Sequence, residues 1–126
     1  MDNIITCEEK LFRMVIRNPN FWKTQEGRPS SALFKDSKGV SVDRDGKRDR
    51  SMIVNSFINR FGEDEVRAIV LVDASFCLDN NLHLVYKPED DNEYHAEIHS
   101  SPERVPLTGS QAKKLINHCT IVYQTP

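Results

Sequence analysis

The sharpest chemical feature of this sequence is His95-Ala96-Glu97-Ile98-His99. On a strand, residues two apart share a face, so His95, Glu97 and His99 project together while Ala96 and Ile98 point into the core. Metal binding is limited by reach. Two residues along a strand advance about 6.6–7 Å and four about 13 Å, against His–metal bonds of about 2.1 Å. His95 and His99 cannot close on one ion without a bend. His95 and Glu97 could do so with His83 of a neighbouring strand, an arrangement suited to metal-assisted hydrolysis. The plainer reading is the polar solvent face of an edge strand. A second feature is Gly27 to Asp36, GRPSSALFKD. Its small residues Ser30 and Ser31, beside Arg28 and Lys35, can expose backbone N–H groups to an anion. With Trp22 nearby, this is the expected mouth of a ligand site. It is neither a P-loop nor a dinucleotide fingerprint, because both glycine spacings are absent. No G-x-S-x-G elbow marks a serine hydrolase.

Elements must position these residues. Lys10 to Ile16 reads as a short strand carrying Arg13, followed by a long loop punctuated by Asn18-Pro19 and Gly27-Arg28-Pro29. A loop of that length is often functional. Ser31–Phe34 and Val40–Val42 read as a hairpin across the turn Asp36-Ser37-Lys38-Gly39. The mixed-sign run Asp43 to Arg50 must be solvated, with Asp49 or Ser51 capping the next helix. That helix carries Met52, Ile53, Phe57 and Phe61 as its apolar stripe and stops at Gly62. Val66 to Val72 is a buried central strand; Leu82–Tyr86 and Tyr94–His99 are two more. Thr108 and Gln111 form a capping box for a helix over Thr108–Asn117 that buries Ala112, Leu115 and Ile116. Thr120–Tyr123 is the last strand. The expectation is an α+β fold: a single globular domain over residues 1–126, with a mixed or antiparallel sheet and two short helices.

That order places Arg13 on the first strand, Ser41 on the strand before the first helix and Glu97 on a late strand. The arrangement resembles the ADP-ribosyltransferase fold, in which an Arg or His, a Ser or Tyr and a Glu on such strands converge on NAD. The resemblance implies an NAD-using enzyme, with NAD as substrate. Arg13 would hold its ribose or phosphate, and Ser41 would orient Glu97. Glu97 would then steady the oxocarbenium-like state as nicotinamide leaves. Phe34, Tyr94 or Trp22 would stack on nicotinamide, and Arg28, Ser30, Ser31 and His95 complete the implied cofactor contacts. His95 stands where the family's first acid would be, and the acceptor stays open.

Composition bounds these readings. The chain has 126 residues, 29% of them charged, and a formal charge of −2. Such a balance does not favour nucleic acid, although Lys35, Lys38, Arg44, Lys47, Arg48 and Arg50 could offer it a local edge. No apolar run is long enough to span a membrane. The N-terminus lacks a signal-peptide pattern. Three widely spaced cysteines, Cys7, Cys77 and Cys119, fit neither a disulfide framework nor a zinc ribbon, which points to the cytoplasm. The alternative to an enzyme is a binding module that contacts a protein or nucleotide through the Trp22–Phe34 loop.

Overall fold

The computed structural model describes all 126 residues. Its frame is a six-stranded, wholly antiparallel sheet. Strands β1 (Lys10–Ile16), β4 (Val40–Arg44), β5 (Val66–Asp73), β6 (His83–Tyr86), β7 (His95–His99) and β8 (Thr120–Gln124) lie in the order β6-β7-β4-β1-β5-β8. Two short strands, β2 (Trp22–Lys23) and β3 (Arg28–Pro29), pair apart from it. Three helices complete the α+β fold: α1 (Arg50–Phe61), α2 (Ala74–Asp79) and α3 (Gly109–His118). None is long and apolar enough to cross a membrane.

Alternation along the strands divides the apolar residues between two faces. Leu11 and Val15 of β1, Val40 and Val42 of β4, Val70 and Val72 of β5, and Ala96 and Ile98 of β7 share the larger core. It is closed by Ala74 and Cys77 of α2, by Ala112 and Leu115 of α3, and by Leu33 and Phe34. On the opposite face, Phe12 and Ile69 pack under Ile53, Val54 and Phe57 of α1. The apolar side of that helix packs over β1 and β5. The β4/β7/β6 side carries Ser41, Asp43, His95 and Glu97 instead, brought to one face by the pairs Ser41–Glu97 and Asp43–His95. The connection from β6 to β7 folds back there, and buried Asn92 donates to Asp43 Oδ1 at 2.9 Å.

Several sequence expectations need correction. Ser31–Phe34 is a 3-10 turn, not half of a hairpin; the turn tucks both Leu33 and Phe34 inward, which an alternating strand could not. Ala74–Asp79, part of an apolar stretch continuing from β5, is a third helix. In α1, Val54 faces inward while Met52 and Phe61 are exposed. HAEIH is not an edge strand: β7 lies between β4 and β6, and His95 and Glu97 are buried. Asp49 caps α1 through Met52 N, and the Thr108–Gln111 capping box is present.

Candidate functional site

Beside β1 the sheet comes apart. β1 pairs with β4 only at Leu11–Arg44 and Phe12–Asp43, after which the two strands diverge. Arg13, the next residue, occupies the opening. Its Nε donates to Leu33 O and its Nη1 to Ser41 O, each at 2.8 Å, so a β1 side chain reaches across the gap to carbonyls of the 3-10 turn and of β4. These bonds go to carbonyls, and Asp36 acts on the guanidinium through charge alone. Burial pushes the Arg13 pKa down to about 10, with Asp36 pulling it back up. Arg13 therefore remains a cation at neutral pH.

The gap leads into a cavity of about 310 Å³. Met14 and Ile16 of β1, Phe57 and Phe61 of α1, and Phe21 and Leu33 form its apolar wall. Its polar wall has Arg13, Ser41, Asp43, Arg60 and His95, with Asp36 and Glu89. Arg60 is committed: it pairs with buried Asp43 and lies over the Phe57 and Phe61 rings at 4.8 and 5.2 Å. His95 is fixed at both nitrogens, Nδ1 at 2.8 Å from Lys87 O and Nε2 at 3.2 Å from Ser41 Oγ. Ser41 itself is exposed. The lining is divided evenly between apolar and polar residues, and the volume lies at the small end of the range for small-molecule sites.

Of the three residues expected to converge, Arg13 and Ser41 line this cavity and Glu97 does not. Arg13 leaves β1 on the face of Leu11, whereas Glu97 leaves β7 on the face of Ser41. The Glu97 carboxylate turns to the end of β4, where His99 Nε2 lies 2.7 Å and Lys87 Nζ 3.5 Å away. Gly39 makes that placement possible: with φ at +106°, it would carry a Cβ only 2.6 Å from Glu97 Oε1.

The stacking aromatics are elsewhere. Trp22 and Phe34 are buried in the core, with Arg67 4.0 Å above the Trp22 ring. Tyr94 lies under Arg48 at 3.5 Å, beside a separate hollow near the N-terminus. Ser30 Oγ is spent on Asn20 O at 2.6 Å. Arg28 and Ser31 do gather, with Lys23, Lys35, Lys113 and Gly109 of α3, around a cleft of about 220 Å³. It is separate from the cavity. His83 stands against His99, ring centroids 6.2 Å apart. No three His, Cys, Asp or Glu side chains are grouped to hold a metal. Burial pushes the Cys77 thiol up to about 12 and Cys119 up to about 11, which leaves both unreactive.

Sequence reasoning missed the Ser41–His95 pair, because the two lie 54 positions apart and meet diagonally across β4 and β7. It also missed Arg60, Phe57 and Phe61 as cavity walls; the i, i+3 and i+4 spacing in α1 was the available signal. Fold and site together define a small antiparallel α+β domain with a ligand-sized cavity where its sheet parts. Comparison with protein-family models, with curated proteins and with solved structures finds no match for this chain.

Proposed function

We propose that the chain binds a small molecule with an anionic group on an aromatic or nucleotide-type body, in the cavity between β1 and β4. The observation that carries this reading is Arg13, a cation held in the opening by carbonyl oxygens, with no carboxylate partner hydrogen-bonded to it. A guanidinium so fixed can receive an anion through a charge-assisted bond without first being ordered. The apolar wall takes the ring, and Ser41 and His95 offer polar contacts beside it. A volume of about 310 Å³ suits one ring with its anionic group, or one end of a dinucleotide.

The test is calorimetric titration with phenyl phosphate, AMP and NAD. Arg13→Met should weaken whichever ligand binds by about tenfold or more, the worth of a charge-assisted bond, while Arg17→Met should not. Equal affinity in Arg13→Met would refute the reading.

NAD cleavage is the second reading, favoured by Arg13 and Ser41 lining one cavity. It requires Glu97 to leave His99 and Lys87. Nicotinamide release from NAD by the parent, lost in both Arg13→Met and Glu97→Gln, would support it. No release at any NAD concentration would leave a binding module.

A further inference from the structure

We propose that Ser41 and His95 form a nucleophile–base pair that hydrolyses small carboxylic esters; this rests on the cavity between β1 and β4 being the ligand site. The geometry of His95 carries it. Nδ1 lies 2.8 Å from Lys87 O, and a carbonyl oxygen can only accept, so Nδ1 bears the proton of the neutral ring. Nε2 is then the lone-pair nitrogen, and at 3.2 Å from Ser41 Oγ it accepts the serine hydroxyl. A nucleophile within reach of a base, and a base oriented by a third group, is the arrangement that activates serine. Exposure divides the roles in the same sense: the imidazole is buried, which fixes it, and Ser41 is exposed, which admits substrate. Glu89 Oε1 lies 3.9 Å from Nε2, on the side of the ring that faces Ser41. Arg13 lines the same cavity, which gives the site a cation for the charge that develops on the substrate.

The chemistry balances with water as the one co-reactant. Ser41 Oγ bonds to the ester carbonyl carbon as its proton passes to His95 Nε2. The carbon–alkoxide bond then breaks, and the alcohol leaves with that proton. Water, deprotonated by the same nitrogen, then adds to the acyl carbon; the carbon–Ser41 Oγ bond breaks, Oγ takes the proton back from Nε2, and the acid is released.

The experiment treats the full chain with a biotinylated fluorophosphonate and reads the intact mass and the labelled peptide. In that adduct Ser41 Oγ bonds to phosphorus, fluoride departs and the proton goes to Nε2. The parent should gain one adduct, mapped to Ser41; Ser41→Ala should gain none. His95→Gln should label about 100-fold more slowly or worse, the usual worth of a positioned base, and His118→Gln at the parent rate. Thermal melts of each variant check folding. Absence of a Ser41 adduct, an adduct elsewhere, or parent-rate labelling of His95→Gln would overturn the proposal. Phenyl phosphate titration of the same samples separates the two ideas: binding without labelling removes the hydrolase and keeps the cavity, and neither removes both.

Discussion

The two flanks of β1 are built differently. Towards β5, all seven residues pair, from Lys10–Asp73 to Ile16–Val66, with one irregularity at Val15/Ile16. Towards β4, pairing stops after two. One strand therefore anchors a continuous ladder on one side and opens a cavity on the other. Apolar residues of both faces close over β5, so separation there would expose core. On the β4 flank, Arg13 supplies the hydrogen bonds that a strand would have given, to Leu33 and Ser41. Leaving a carbonyl without a partner costs most where water is excluded, as at the part-buried Leu33 O. Its donor is a cation that also faces the cavity.

Substitutions on the two flanks should separate stability from binding. The largest stability loss is expected on the continuous side: Ile69→Ala, a fully buried β5 residue, should cost about 2–5 kcal/mol in urea unfolding. Its affinity for phenyl phosphate should fall far less than that of Arg13→Met. Arg13→Met should cost less, about 1–3 kcal/mol, for carbonyls left unpaired, yet abolish most of the binding. If the two variants lose stability and binding in parallel, the flanks are not distinct. Remote from both, Thr108→Ala removes the side-chain half of the α3 capping box and should cost about 1 kcal/mol with no effect on ligand.

The subtlest effect depends on pH. Burial raises the Glu9 pKa, but hydrogen bonds from Arg44 and Thr6 outweigh it, and the net value lies below the ordinary 4.5. A carboxylate depressed in the fold contributes stability above its unfolded pKa. That contribution is lost as pH falls below about 4.5 and through the folded value. Glu9→Gln should therefore flatten this part of the acid limb of stability against pH. An unchanged limb would show that Arg44 does not hold Glu9 in solution.

Local rules served the elements well where the signal was local. Asp49 before α1, Gly62 after it, and Thr108 with Gln111 are each readable from a few neighbouring residues. Ser31–Phe34 misled because apolar residues in a short run look alike in a strand or a 3-10 turn. Ala74–Asp79 has no side-chain cap to announce it and follows β5 directly. The site was readable only as residue types. Arg13 and Ser41 stood out as chemistry on strands, but the parting of β1 from β4, which joins them, depends on long-range pairing. The destination of Glu97 likewise depends on Gly39 and His99 being neighbours in space.

The opening beside Arg13 is where the ligand is expected to enter. Titrating the ¹⁵N-labelled chain with phenyl phosphate, and following the arginine Nε–H and backbone amide resonances, tests it directly. Arg13 Nε–H should move together with the Ser41 and Val42 amides, while the β5 and β8 amides stay in place. Shifts confined to Arg28, Lys35 and Lys113, or no shift at saturating ligand, would contradict it.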